Sequence, residues 1–169
     1  MRVETTKKLI SLYLKVARYF GRRLRLPKKY RGYFDMSMHD FSDLINEYDY
    51  KQDPLSGLFD YISSPDKFFN PDKKFGRDCD DWSRLWSLWG LYNGYKAYEY
   101  VVCDPSSIKK TFATLHCVTV LEKEGKYYLM NYHPYGPAAS KEEALKVLEK
   151  VEIYSKNLLI VLDREITLA

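Results

Sequence analysis

Three side-chain types that can share one nucleophilic reaction occur in order along this chain: Cys79, within Gly76-Arg77-Asp78-Cys79-Asp80-Asp81-Trp82, then His116, then Asn131. A thiolate attacks, an imidazole takes and returns the proton, and an amide oxygen holds the imidazole in one tautomer. Asp78 can cap a helix, and Asp81 stands three residues later as in a capping box, so Cys79 falls in the first helical turn. Backbone N–H groups and the positive end of the helix dipole meet there, and both favour thiolate over thiol. Asp78, Asp80 and Asp81 act the other way, since nearby carboxylates raise a thiol pKa. They are read mainly as cap and first-turn anions. The plain alternative for Cys79 is a small buried hydrophobe.

The elements that must position these residues follow from periodicity. Cys79, Trp82, Trp86 and Trp89 share one helical stripe, with Gly90 and Gly94 near its far end, and the tryptophans read as core packing. Residues 95–103 and 111–121 read as strands around the turn Asp104-Pro105-Ser106-Ser107, and Lys123-Glu124-Gly125-Lys126 as a hairpin leading into residues 127–132. His116 and Asn131 then sit at comparable height on neighbouring strands, with Cys79 against the sheet edge. Upstream, Thr6 opens an amphipathic helix through Leu9, Tyr13, Val16 and Phe20. Ser37 caps another with Met38, Phe41, Leu44, Ile45 and Tyr48, and Asp53-Pro54 starts a third. Ser140 with Glu143 opens a helix ending near Lys150, and residues 157–162 form a last strand. Helices first and neighbouring antiparallel strands later indicate an α+β fold.

The chain's 169 residues, 46% hydrophobic and including 16 tyrosines, suit a single globular domain with a substantial core. Cys79, Cys103 and Cys117 are an odd number, and no charged-then-apolar leader or membrane-length apolar run is visible. A reduced, cytoplasmic protein is expected. Cys117 points away from His116 on a strand and, like Cys103, is read as a packing thiol. His39 is read as structural. His133 either shares the site or is a surface turn residue before Pro134, the second being preferred. A metal site from Asp78, Cys79, Asp81 and His116 lacks the paired Cys or His spacing of zinc motifs, and no cofactor is called for. Charge is uneven: residues 1–33 carry 11 Lys/Arg and one acid, residues 34–169 carry 16 and 22. The basic arm can bind polyanions weakly, or, more simply, cover the acidic body or face water.

The order of cysteine on a helix start, histidine on a strand and amide on the next strand resembles the transglutaminase-like superfamily of papain-like enzymes. Asp60-Tyr61-Ile62-Ser63-Ser64-Pro65-Asp66-Lys67-Phe68-Phe69 followed by Gly76-Arg77-Asp78-Cys79-Asp80-Asp81-Trp82-Ser83 resembles the bacterial transglutaminase-like cysteine proteinases. Their pattern is Gly-Asp-Cys-Glu-Asp, and here Asp80 replaces the glutamate. The resemblance covers about residues 50–135. It implies a papain-like core with Cys79 as nucleophile and His116 as base. The family's third residue is an aspartate followed by an asparagine, whereas Met130-Asn131 offers only the amide. Asn131 is taken as the orienting residue, although a one-residue difference in the hairpin would leave Met130 where the acid belongs. For the oxyanion the candidates are the Cys79 backbone N–H and an upstream side chain such as Gln52.

The expectation is a cysteine-dependent hydrolase of amide bonds in proteins or peptides, working through a thioester. Alternatives are an amine-accepting transglutaminase or deamidase, a silent structural or binding protein of this fold, and a nucleic-acid-associated protein using its basic arm.

Overall fold

Local signals set the helix boundaries in the computed structural model, which describes residues 8, 23–24, 28–51, 65–70, 77–103, 115–151 and 159–168. Short helices α1 (Arg31–Phe34), α2 (Met38–Asn46) and α3 (Pro65–Phe68) precede the long α4 (Cys79–Tyr92). Ser37 caps α2, its hydroxyl accepting from Asp40 N at 3.2 Å. At the start of α4, Asp78 N donates to the Asp81 carboxylate at 3.3 Å. Its far end closes on Gly94 in a left-handed conformation (φ 77°), with Tyr95 N bonded to Gly90 O at 2.8 Å and Gly94 N to Leu91 O at 3.3 Å. That is the double-bonded glycine stop that needs no Cβ at Gly94. Of the expected features, the arm's helix beyond residue 8, the segment after Asp53-Pro54, the turn at residues 104–107 and Gln52 lie outside the described residues.

The strands are β1 (Arg23–Leu24), β2 (Lys96–Cys103), β3 (Leu115–Lys123), β4 (Lys126–Met130), β5 (Pro134–Ala138) and β6 (Leu159–Leu168). They form one open sheet in the order β1-β6-β2-β3-β4-β5, antiparallel except where β1 pairs parallel with the end of β6. The fold is therefore α+β. Glu124 (φ 54°) and Gly125 (φ 71°) make the β3–β4 turn, the pair of left-handed residues that a two-residue hairpin matching strand twist requires. Two strands exceed what the pattern announces. The final strand runs to Leu168 rather than stopping near Leu162, and Pro134–Ala138 is a strand where none was expected. Arg23–Leu24, from the basic arm, are part of the sheet edge.

Strand alternation gives the sheet two faces. One carries Ala97, Leu121, Met130 and Ile166 beneath Trp82, Leu85, Trp86 and Trp89 of α4. The other carries Tyr100, Val102, Val118, Val120 and Leu129 against Ala144, Leu145 and Leu148 of α5 (Lys141–Lys146) and α6 (Leu148–Val151). Trp86 and Phe41 stack edge-to-face at 5.2 Å, tying α2 to α4. Burying aromatics of this size contributes roughly 1.5–3 kcal/mol per side chain before entropy is counted. Among the described residues no helix is long and apolar enough to cross a membrane.

Candidate active site

The register of the sheet creates the opening that Cys79 fills. Pairing of β4 with β3 begins at the hairpin, Lys123↔Lys126, and ends at Thr119↔Met130, so residues 115–118 of β3 have no β4 partner in register. Into that edge comes the start of α4. Cys117 N donates to the Cys79 sulfur at 3.4 Å, and the half-buried Cys79 packs against the buried cluster of Val101, Cys103, Cys117, Val161 and Leu162. Since Cys117 N is two bonds from the His116 Cα, the sulfur lies within about 6 Å of that Cα, inside the reach of an imidazole. His116 is buried, and its Nε2 is 2.8 Å from Asn131 Oδ1, also buried. An amide oxygen only accepts, so Nε2 carries the proton in this pair and Nδ1 is the basic ring nitrogen.

Cys117 thus has two roles where sequence reasoning saw one. Its side chain is packed, 3% exposed, as the strand alternation predicts. Its backbone N–H, however, belongs to the site.

The loop that carries Asn131 is clamped from α2. Asn131 N bonds to His133 O at 3.2 Å across the β4–β5 turn, and Asn46 Nδ2 donates to Tyr132 O and to Ser42 O, each at 2.8 Å. His133 is exposed, with Nδ1 3.4 Å from Ser42 Oγ, so it braces the loop rather than joining Cys79. Exposed His39 pairs with Asp43 at 3.1 Å on α2. Tyr132 lies 6.0 Å from the His116 ring and 5.9 Å from Trp82, and Tyr50 stacks on Trp82 at 6.5 Å. An aromatic wall therefore runs outward from the histidine.

The segment before Cys79 is hooked in place by Arg77, 2% exposed. Its Nε donates to Phe68 O at 2.8 Å, its Nη2 donates to Asn70 O, and its guanidinium lies over the Tyr48 ring at 4.9 Å. Lys51 and Arg77 also pair through their backbones in an antiparallel bridge. Behind Cys79, Ser83 and Ser87 continue its stripe at four-residue spacing, and Thr119 Oγ1 meets their hydroxyls at 2.8 and 2.9 Å. The i, i+4, i+8 series of small polar residues is the signal that sequence reading passed over while following the tryptophans.

Among the described residues, one grouping of three acids, Asp78, Asp80 and Asp81, brings its oxygens within 4.8 Å of one another. Cys79 and His116 are not members of it. Of the oxyanion candidates, Cys79 N stands at the first helical position, where amides point out of the helix end. Comparison with protein-family models, curated proteins and solved structures gives no match for this chain.

Proposed function

We propose that the protein is a cysteine-dependent amide-bond hydrolase with a transglutaminase-like arrangement, Cys79 being the nucleophile, His116 the base and Asn131 the residue that orients the imidazole. One observation carries the reading: the 2.8 Å His116 Nε2–Asn131 Oδ1 contact, on a strand whose next peptide N–H holds the Cys79 sulfur at 3.4 Å. Nδ1 of His116 takes the thiol proton, and the sulfur adds to the substrate carbonyl carbon. The Cys79 N–H faces the oxygen as it becomes negative. Collapse of the adduct breaks the C–N bond, and the leaving amine takes the proton from His116. Water, deprotonated by the same imidazole, then adds to the thioester and releases the acid and the thiol.

A quenched-fluorescence peptide library, read for both cleavage and incorporation of a dansylated amine, tests the class. Cleavage dependent on Cys79 supports hydrolysis, and amine incorporation in its place assigns the acceptor as an amine. With neither, and with Cys103 or Cys117 alkylated before Cys79, the enzymatic reading fails. Residues 1–33 are proposed to bind polyanions weakly on charge grounds, which predicts heparin retention that falls steeply with salt and disappears when residues 1–29 are deleted.

A further inference from the structure

The three cysteines of the chain, far apart in sequence, meet in one apolar cluster. Cys103 and Cys117 are 0% and 3% exposed within it, Cys79 packs against it half-buried, and all three stand as thiols. The hydrolytic reading uses the Cys79 sulfur and the Cys117 N–H. It gives the Cys117 thiol no task.

Helix and strand bring that thiol beneath Cys79. Thr119 Oγ1 meets Ser83 Oγ at 2.8 Å and Leu121 lies under Gly90, so alternate residues of β3 face α4, and Cys117, two before Thr119, faces it with them. Four helical residues advance about 6 Å and two strand residues about 7 Å, so stepping back from Ser83 to Cys79 keeps pace with stepping back from Thr119 to Cys117. The 3.4 Å hydrogen bond from Cys117 N to the Cys79 sulfur is the direct mark of that alignment. The Cys117 Cβ is two bonds from this nitrogen, which puts it within about 6 Å of the Cys79 sulfur, and rotation about χ1 swings the Cys117 sulfur through the space between. Closing a disulfide needs the two Cβ atoms roughly 3.5–4.5 Å apart. Cys79 is the first residue of α4, where the peptide N–H has no intrahelical bond, so this end of the helix can make the approach. Cys103 is in register with Leu115, one strand further from Cys79's hydrogen bond.

We propose that Cys79 and Cys117 are a redox pair, Cys79 being oxidised by a hydroperoxide and Cys117 resolving the product into a reversible disulfide. A sulfur reachable from solvent, at a helix start and holding a backbone N–H, is the kind that peroxide oxidises, because the anion is the reactive form. The Cys79 thiolate attacks one peroxide oxygen: the S–O bond forms, the O–O bond breaks, and the departing alkoxide or hydroxide takes up a proton. Sulfur is oxidised to the sulfenic acid and the peroxide is reduced. The Cys117 sulfur then attacks the Cys79 sulfur, the S–S bond forms, and the hydroxyl leaves with the Cys117 thiol proton as water. Two thiols and one hydroperoxide give one disulfide, one alcohol or water, and one further water. An external dithiol reverses the bond by exchange. The linkage stops Cys79 short of the irreversible sulfinic acid. It holds whether or not Cys79 turns over an amide bond, and where it does, the disulfide takes the nucleophile out of action until reduction.

The test treats the full, reduced chain with hydrogen peroxide, blocks remaining thiols with N-ethylmaleimide and maps linked peptides by mass spectrometry without reduction. Wild type is expected to accumulate the Cys79–Cys117 pair, to lose iodoacetamide labelling of Cys79 in step with it, and to recover that labelling with dithiothreitol. Cys103→Ser should behave as wild type. Cys117→Ser should give no linked pair, a sulfenic acid at Cys79 that dimedone traps, and then a sulfinic acid that dithiothreitol does not reverse. Wild-type Cys79 passing to the sulfinic acid with no linkage, or linking instead to Cys103, overturns the proposal, as does full recovery of Cys79 in Cys117→Ser. If Cys117→Ser does not fold, the wild-type map and Cys103→Ser decide. None of these readouts depends on amide turnover, so a chain that cleaves no peptide yet forms the pair removes the hydrolytic reading and keeps this one.

Discussion

The two faces of the sheet are built on opposite principles. Beneath α5 and α6 the contacts are Val102, Val118, Val120 and Leu129 with Ala144, Leu145 and Leu148, and the tyrosines of that face are Tyr98, Tyr100, Tyr127 and Tyr135. Beneath α4 a polar row crosses the middle of the sheet, Arg164, Glu99 and Thr119, met from above by Ser83 and Ser87, with apolar residues on either side. An apolar contact is non-directional and tolerates sliding, whereas a buried hydrogen bond fixes the helix both along and across the strands. The face that seats Cys79 is the one held directionally.

The largest effects that test this contrast are on chemistry. Cys79→Ser should abolish amide turnover, and His116→Ala should lower it by roughly 10²–10⁴-fold, the scale of lost general acid–base catalysis. Asn131→Ala should cost less, and Asn131→Asp should retain activity, because either group accepts from Nε2 at the position 2.8 Å away. Steady-state rates on any cleaved peptide settle the ranking, and full activity in His116→Ala would dismantle the site.

Next come paired substitutions on the two faces. Thr119→Val leaves Ser83 and Ser87 without their shared partner and should cost about 1–3 kcal/mol in denaturant melts, together with slower Cys79 alkylation. Val120→Ala on the opposite face should cost a similar amount, about 2 kcal/mol, by leaving a cavity, and leave alkylation unchanged. Equal effects on the thiol from both would erase the distinction between the faces.

Gly90→Ala probes how closely α4 lies on the sheet. A Cβ there would sit 2.3 Å from Leu121 Cδ2, and Leu121 is fully buried, so the helix or the leucine must shift, at about 1–3 kcal/mol in stability. Unaltered thermal unfolding would show the face to be softer than its packing implies.

The smallest effect is at the α5 side. Burial first, then the hydrogen bond to Glu122, push the Tyr98 phenol up to about 12, and burial pushes Tyr100 up as well. Because the folded state favours the protonated phenol, this contribution is complete below the ordinary tyrosine pKa of about 10 and is lost as pH rises from there towards 12. Tyr98→Phe should make stability fall less steeply over that interval, and an identical alkaline slope would exclude the phenol as its source.

Much of the scaffold was legible because it is local. The α4 start at Asp78-Cys79-Asp80-Asp81, its stop at Gly94, the Glu124-Gly125 turn and the Ser37 and Ser140 caps each depend on residues within a few positions of one another. The continuation of β6 through Asp163-Arg164-Glu165 was hidden, since a charged run reads as the end of a buried strand until Glu99 is seen opposite Arg164. The strand that begins at Pro134 was hidden, because nothing in the sequence announces the pairing of Met130 with Pro134.

By itself the sequence determined the starts of α2, α4 and α5, the stop of α4, the Glu124-Gly125 turn and which three residue types are available for chemistry, because capping, turn and periodicity signals act over one or two turns of chain. Tertiary structure alone decided that β4 leaves β3 at Thr119, that the Cys117 N–H meets the Cys79 sulfur, and that Asn46 of α2 holds the loop presenting Asn131. Those contacts join residues far apart in the chain, and their partners are fixed only when strand register and helix seating close on one another, a choice no local window contains.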